Sequence, residues 1–283
     1  MRITSADEAE WERYAGQREG RTDYKLLARG EAGTPDNYEL TLIKWSPEGT
    51  YSPRHHHNFD QFRYPLNMPL NYSANLDVPV GHLGYFAEGG YYGPQKIKGG
   101  CLALMLQFAG PTGHGFMSYP ETRRGSTELK QRGRFEKGIY RYEDETGTTR
   151  NQDGYEAVWE HVNGRGIEYV RPRFTEPVVM DPEAFGWQPL DSGDGVFRRA
   201  LGVFNERGTA ANEYRLDTDG SVTLVADGRR RLFFVVSGEV DAGGTVCRQH
   251  AAVSLEPAEK LDLRNTGNEP CVVLNFDLPA FAE

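Results

Sequence analysis

Residues 51–64 read Tyr-Ser-Pro-Arg-His-His-His-Asn-Phe-Asp-Gln-Phe-Arg-Tyr, and this stretch decides the fold. If it is a β-strand, alternate side chains point to opposite faces. One face then carries His55, His57, Phe59, Gln61 and Arg63, while the intervening residues point the other way. An unpaired buried polar group costs about 1–3 kcal/mol. The imidazole, amide and guanidinium groups on this inward face therefore require a partner. A bound metal ion or an anion is the natural one.

A second stretch, residues 81–95, reads Gly-His-Leu-Gly-Tyr-Phe-Ala-Glu-Gly-Gly-Tyr-Tyr-Gly-Pro-Gln. Gly49, the His-x-His pair and Gln61, followed by this strand and Pro/Gly turn, resemble the two motifs of the cupin superfamily. In that family two His and a Glu of the first motif and a His of the second bind a divalent metal inside a small β-barrel. Here Gln61 stands where Glu is usual, Met68 where Gly is usual and Tyr92 where the last His is usual.

The resemblance implies an all-β fold of two cupin-type barrels (double-stranded β-helix, or jelly roll) with a few short helices. Residues 1–120 would form the barrel with the site, residues 121–170 a connecting excursion with a short helix, and residues 171–283 a second, degenerate barrel. Residues 232–238 and 252–265 resemble parts of the two motifs there, but no histidine occupies a ligand position. Short apolar runs separated by turn clusters favour an all-β architecture independently.

Local patterns predict the individual elements. Ser5 and Glu8 have capping-box spacing, which predicts a short helix through Tyr14. Strands are predicted at 23–29, 38–46, near 71–77 and at the apolar run 101–108, with a polar surface excursion from 110 to about 151. A helix from residue 155 should stop at Gly164.

Charge and composition exclude several classes of partner. The formal net charge is -9, with a pI near 5.4, which argues against nucleic acid or an anionic membrane as the main partner. The first residues lack the apolar run of a signal peptide, so a cytoplasmic protein is expected. The three cysteines are far apart in apolar runs and are expected to be reduced core thiols.

The site prediction assigns each residue a role. His55, His57 and Gln61 are the predicted ligands of one divalent transition metal, with Fe, Mn, Zn, Ni and Cu not distinguishable. Tyr92 is interpreted as a further ligand, a proton donor or part of the pocket wall. Arg63 is predicted to hold a substrate anion, or alternatively to form a salt bridge for which Glu88 is one partner.

Gln95 and Tyr85 complete the predicted substrate site. His82 or His114 could replace the missing imidazole, and a bulge could bring in the carboxylate of Asp60. A stacked or hydrogen-bonded histidine pair without metal is the alternative interpretation of the motif.

The leading functional hypothesis is a metal-dependent cupin enzyme that acts on a small organic substrate, aromatic or dicarbonyl, in a dioxygenase-type reaction. The alternatives are a metal-dependent isomerase, cyclase or lyase with Tyr92 as possible acid or base, and a non-catalytic bicupin that binds a small molecule. Tyr92 and Arg63 are the candidate catalytic residues. A homodimer is expected from the resemblance alone.

Overall fold

The computed structural model describes residues 1–14, 22–113 and 115–281. The chain forms two compact units, called here the N-terminal unit (Trp11–Val179) and the C-terminal unit (Met1–Glu10 with Met180–Glu283). The first strand, β1 (Arg2–Thr4), pairs with residues 252–254, which is why the first residues belong to the C-terminal unit. The excursion predicted over residues 121–170 falls within the N-terminal unit. Strands dominate both units, so the predicted all-β fold class is confirmed.

The N-terminal unit contains thirteen strands before its last residues, together with both α-helices found in the described part of the chain. In chain order they are β2 (Glu12–Tyr14), β3 (Thr22–Arg29), β4 (Tyr38–Trp45), β5 (Thr50–Ser52), β6 (Asp60–Pro65), β7 (Leu70–Ser73), β8 (Leu76–Val78), β9 (Leu83–Phe86), β10 (Gln95–Ile97), β11 (Leu102–Phe108), α1 (Tyr119–Leu129), β12 (Gly133–Glu136), β13 (Ile139–Glu143), β14 (Thr149–Asp153) and α2 (Gly154–Asn163). A further strand, β15 (Val178–Met180), follows at the end of the unit.

The main sheet of this unit has seven strands in the order β15-β9-β6-β11-β4-β3-β2. Strand β11 is central and antiparallel to both neighbours, with Gln107 opposite Gln61 and Met105 opposite Arg63. The strand pairs β5-β10 and β7-β8 and the sheet β12-β13-β14 are separate. Alternate residues of a strand share one face of the sheet, so this register places four side chains on the same face, namely Gln61, Arg63, Met105 and Gln107. These side chains can therefore meet inside the unit.

The two helices begin and end with recognisable caps. The carboxylate of Glu121 accepts the backbone N–H of Ser118 at 2.8 Å, which caps α1. Asp153 accepts the N–H groups of Tyr155 and Glu156 at the start of α2, and Gly164 ends it with φ of 65°. The predicted helix at 155–164 is therefore confirmed, whereas α1 and β12 to β14 were not predicted.

The C-terminal unit is one ten-stranded sheet. Its remaining elements are β16 (Gln188–Pro189), β17 (Gly193–Val203), β18 (Ala210–Val225), β19 (Arg231–Ser237), β20 (Glu239–Ala242), β21 (Thr245–Arg248), β22 (Ala252–Leu255), β23 (Lys260–Arg264) and β24 (Cys271–Asp277), with a short 3-10 helix at Pro182–Ala184. Phe233, Val235, Leu261 and Val273 belong to a buried cluster of apolar side chains in this unit.

Two local predictions are wrong. The predicted helix from Ser5 to Tyr14 is a turn in which the carbonyl of Ser5 accepts the N–H groups of Glu8 and Ala9, followed by strand β2. The single strand near 71–77 is a hairpin, because Asn75 turns the chain with φ of 60°. No helix in the described ranges has both the length and the apolarity to cross a bilayer.

Candidate functional site

A cavity of about 220 Å³ lies inside the N-terminal unit, between the inward face of the seven-stranded sheet and the pair β5-β10. Its aromatic lining is Tyr14, Tyr24, Trp45, Phe59, Tyr92, Phe116, Tyr119 and Tyr155. Its polar lining is Thr22, Thr50, Ser52, His57, Gln61, Arg63, Gln95, Gln107 and Thr122. Among the described lining residues there is no Asp or Glu, so Arg63 is the residue of fixed charge at the wall.

The guanidinium of Arg63 fixes the orientation of the Gln61 amide. Arg63 donates from Nε (3.2 Å) and Nη2 (2.9 Å) to Oε1 of Gln61. A guanidinium has only donors, so the Gln61 atom that faces it must be the carbonyl oxygen. The NH₂ group of Gln61 therefore points toward His57 and Tyr92, at 2.8 Å from Nδ1 of His57 and 3.2 Å from Oη of Tyr92.

This orientation decides the tautomer of His57. Because Nδ1 of His57 faces the donor NH₂ of Gln61, Nδ1 must be the acceptor, and the neutral ring carries its proton on Nε2. The same Nδ1 lies 3.0 Å from Oη of Tyr92. It is thus the atom that can receive the hydroxyl proton of Tyr92.

The oxygen of Tyr92 receives hydrogen bonds from two directions. Arg63 Nη2 donates to it at 2.9 Å and Gln61 Nε2 at 3.2 Å. Two donors, one of them cationic, stabilise negative charge on that oxygen. Tyr92 is buried and its ring packs against Phe86 (5.1 Å between centroids), which holds the hydroxyl in place.

Aromatic contacts hold the imidazole of His57. Phe59 stacks on it at 4.6 Å with an 11° angle between the rings, and Tyr155 of α2 meets it edge-on at 4.9 Å. The hydroxyl of Tyr155 lies within 2.7 Å of the Asn58 amide, and burial raises the pKa of Tyr155 well above its usual value. Tyr155 therefore stays a neutral wall of the site.

The other end of the cavity is built from tyrosines. Tyr119 of α1 contacts Tyr24 of β3 (4.6 Å between centroids) and Tyr14 of β2 (4.9 Å). Burial, with Glu12 accepting the Tyr24 hydroxyl at 3.0 Å, raises the pKa of Tyr24 to about 12. Burial likewise raises the pKa of Tyr119 well above its usual value, so this end of the cavity carries neutral rings.

Comparison with solved structures identifies the architecture. A candidate dioxygenase from Nostoc punctiforme has a TM-score of 0.63 at 8% identity, over 100% of this chain and 84% of the other. Oxalate decarboxylase from Bacillus subtilis has a TM-score of 0.55 at 13% identity, over 99% and 77% of the two chains. The nickel(II) complex of the bacterial pirin YhhW from Escherichia coli has a TM-score of 0.52 at 14% identity, over 99% of both chains.

The fold is the cupin fold. Identities this low establish architecture and not activity. Neither the sequence-family models nor the curated proteins match this chain.

The metal centre implied by the cupin fold can be tested against the donor atoms. His55 and His57 are both buried, with ring centroids 5.0 Å apart. The third predicted ligand, Gln61, has its carbonyl oxygen bound by Arg63 and presents an NH₂ group, which cannot bind a metal. The described residues include no group of three or more His, Cys, Asp or Glu side chains placed to hold a metal. As arranged, the predicted set does not fit a metal, because the cationic Arg63 and the donor face of Gln61 occupy its position.

His55 lies behind the cavity wall. Its Nδ1 donates to the carbonyl of Pro53 at 2.7 Å, and its backbone pairs with that of Tyr92 in an isolated β-bridge. Its ring meets that of Tyr92 at 4.4 Å. His55 thus fixes the position of Tyr92, while His57 lines the cavity itself.

Glu88 and Asp60, the two acidic residues suggested as parts of the site, have other partners. Glu88, the partner suggested for Arg63, pairs instead with Arg173 at 2.9 Å and accepts the Thr112 hydroxyl. Asp60 accepts the hydroxyl of Tyr85 (2.6 Å) and the N–H of Glu88 (2.7 Å) on the opposite face of β6, so no bulge brings it to the cavity.

Tyr85, a predicted substrate contact, does not line the cavity. Tyr85 is opposite Phe62 in the β6-β9 pairing, and Phe62 alternates with the inward Gln61 and Arg63. Gln95 does line the cavity, with its Nε2 donating to the carbonyl of Asn71. His82 lies in the turn before β9, away from the cavity, and His114 is outside the described residues.

Several lining residues were not predicted from the sequence. Gln107 carries the clearest signal, because it is the polar residue in the apolar run 102–108 and has the alternation of Met105. Tyr119 and Tyr155 come from the helices, which lack the period of two that identifies the strand residues.

Proposed function

We propose that this chain is a cupin-fold enzyme that transfers a proton to or from a small organic substrate in the N-terminal cavity, in an isomerase- or lyase-type reaction. The observation that supports this most is the hydrogen-bonded set of Arg63, Gln61, Tyr92 and His57 at the cavity wall. A proton-transfer residue must lie within hydrogen-bond reach of its partner, at about 2.6–3.2 Å, and Tyr92 and His57 meet that condition.

In this proposal Tyr92 is the group that exchanges a proton with the substrate. Its proton passes to Nδ1 of His57, and the resulting phenolate oxygen, stabilised by Arg63 and Gln61, takes a proton from the substrate. The reverse sequence delivers a proton to a substrate oxygen or carbon. Arg63 in addition attracts negative charge on the substrate, since its guanidinium lines the cavity.

The test is proton exchange in D₂O. Small 2-oxo and 3-oxo acids that bind the purified protein are followed by proton NMR for deuterium incorporation beside the carbonyl. We expect exchange that survives chelator treatment and falls about 10²- to 10⁴-fold in both Tyr92→Phe and His57→Gln. Ligands that bind without exchange, or exchange that both variants retain, would overturn proton transfer as the function.

A metal-dependent dioxygenase is the second candidate, favoured by the two buried imidazoles of His55 and His57. These two residues would hold the ion, and Gln61 could contribute only after its carbonyl oxygen turned away from Arg63. The ion would supply Lewis acidity or a binding position for dioxygen.

Metal analysis of untagged protein separates the two candidates. A stoichiometric transition metal that disappears in His57→Ala, with substrate-dependent oxygen uptake, would favour the dioxygenase. Protein that binds no ion after loading with Fe(II), Mn(II), Ni(II), Cu(II) or Zn(II) would exclude it.

A further inference from the structure

The two ends of the cavity differ in chemistry and are separated along the sheet. Arg63 lies on β6, and Tyr24 lies on β3, with β11 and β4 between them. Neighbouring strands are about 4.8 Å apart, so three spacings, about 14 Å when followed along the curved sheet, lie between the strands of these two residues. The cavity is therefore lined by residues from all four of these strands rather than by one strand.

Among the described lining residues, the charged side chain lies at the β6 end, and aromatic rings line the β3 end. Arg63, Gln61 and Gln107 place a guanidinium and two amides at the first end. Tyr24, Tyr119 and Trp45 line the second end, and the raised pKa values of Tyr24 and Tyr119 keep their hydroxyls neutral. Flat neutral rings of this kind are suited to stacking or edge-on contact with the aromatic ring of a ligand.

We infer that the ligand of this cavity is an elongated arylalkanoate-type anion, with its carboxylate at Arg63 and its ring against the contacting pair Tyr24 and Tyr119. The carboxylate receives charge-assisted hydrogen bonds from the guanidinium. The volume of about 220 Å³ admits one ring and a short chain. This inference rests on the proposed function in one respect, namely that the same cavity holds the substrate, and it adds the substrate class and its direction.

A ligand bound in this direction places particular atoms next to Tyr92, the proposed reacting residue of the cavity wall. Tyr92 and His57 lie within hydrogen-bond reach of Arg63 and Gln61, at the charged end. A carboxylate held there places the chain carbons next to it, rather than the ring, closest to Oη of Tyr92. Proton transfer is thereby directed to the carbons adjacent to the acid group.

Binding of a matched ligand series tests the inference by calorimetry. The series is acetate, phenylacetate, 3-phenylpropanoate and 4-phenylbutanoate, with 3-phenylpropanamide as the neutral analogue and hexanoate as the analogue without a ring. We expect 3-phenylpropanoate or 4-phenylbutanoate to bind best, and the amide at least about tenfold more weakly than its acid. Equal affinity for acid and amide, or for hexanoate and 3-phenylpropanoate, would overturn the inference.

Two variants with matched controls locate the two ends. Arg63→Gln should remove the preference for the acid over the amide, whereas Arg54→Gln, which changes an arginine over Tyr91 outside the cavity, should keep it. Tyr24→Leu should weaken the phenyl ligands at least about threefold relative to hexanoate, whereas Tyr51→Leu, at an exposed tyrosine, should not. Variants that leave both preferences unchanged would contradict the assignment of the ends.

The outcomes distinguish this inference from the proposed function. The predicted binding preferences without deuterium exchange would retain the ligand class and overturn proton transfer. Exchange that depends on Tyr92, in a ligand without a ring or a carboxylate, would retain proton transfer and overturn the ligand class.

Discussion

Strand β6 of the N-terminal unit and strand β19 of the C-terminal unit are both deeply buried, yet their inward faces differ. Gln61 and Arg63 of β6 face a cavity and bond to each other, whereas Phe233 and Val235 of β19 belong to an apolar cluster. Burial of apolar surface stabilises a fold, at about 25 cal/mol per Å², while buried polar groups are costly unless they are paired. The interior of the C-terminal unit is therefore an apolar core, whereas that of the N-terminal unit contains a cavity with paired polar groups at its wall.

A buried arginine appears in each unit, and its partners show the same difference. In the C-terminal unit Arg231 donates to the carboxylate of Asp277 at 2.8 Å, to Asn275 and to Tyr214. In the N-terminal unit Arg63 bonds to the neutral Gln61 and Tyr92 at the border of a cavity. Pairing with a carboxylate neutralises a guanidinium within the fold, while a position at a cavity wall makes its charge accessible to a ligand.

The largest effect is expected where the comparison predicts chemistry. Tyr92→Phe should lower the rate of deuterium exchange about 10²- to 10⁴-fold, because the ring is kept and the reacting hydroxyl is removed. Tyr72→Phe is the matched control, since Tyr72 is buried in the same aromatic cluster but does not line the cavity. A similar loss in both variants, measured by NMR in D₂O, would mean that packing rather than the hydroxyl matters.

A large effect on stability is expected in the other unit. Phe233→Ala should lower the free energy of unfolding by about 3–5 kcal/mol, because it leaves a void in an apolar core. Val203→Ala is the control, since this side chain is 72% exposed and its loss should change stability by about 0.5 kcal/mol or less. Urea unfolding measures both, and unchanged ligand affinity in folded Phe233→Ala protein is the second expectation.

The two arginines should separate stability from binding. Arg231→Met should cost about 2 kcal/mol of unfolding free energy, because it leaves the largely buried carboxylate of Asp277 without its cation. Arg63→Met should cost less stability and more ligand affinity, because the guanidinium lines the cavity and two of the groups that it bonds, Gln61 and Tyr92, are neutral. Urea titration measures the stability of both variants, and calorimetry measures their ligand affinity. A greater loss of stability in Arg63→Met than in Arg231→Met would contradict the comparison.

The smallest effect concerns pH and the C-terminal unit. Burial lowers the pKa of His250 below its ordinary 6.5, and the ring stacks on Phe234. As pH falls below 6.5 the unfolded chain takes up this proton before the folded chain does, so His250 contributes a loss of stability toward low pH. His250→Asn keeps a residue that tolerates the observed φ of 70° and should reduce this loss, measured by urea midpoints on both sides of pH 6.5. An unchanged pH dependence would exclude this role.

Much of the fold was predictable because strand periodicity and turn residues are local signals. Residues 38–46 and 101–108 are strands within a residue of their predicted ends, and Gly164 stops α2 as expected. Helix α1 has few apolar residues, and a buried acceptor from another strand, Glu39, binds the N–H of Tyr119 at its start. That contact joins residues 80 positions apart, which no local pattern contains.

The composition of the site was predictable, but its bonding was not. Strand alternation was predicted along residues 55–63. His57, Phe59, Gln61 and Arg63 do line one cavity, but His55 does not, and β6 begins only at Asp60, so residues 53–59 contribute an isolated bridge to the sheets. The family motif suggested that the polar atoms converge on a metal. The amide orientation of Gln61, on which the alternative depends, follows from the position of Arg63 and could be found only in three dimensions.

The protonation state of the His57 ring tests the central claim most directly. Long-range ¹H–¹⁵N NMR of labelled protein, with the signals assigned by their loss in His57→Gln, reports which ring nitrogen carries the proton. We predict that the proton is on Nε2 and that Nδ1 is an unprotonated acceptor facing Gln61 and Tyr92. A proton on Nδ1, or a ring whose shifts change when a chelator removes a bound metal, would contradict the account.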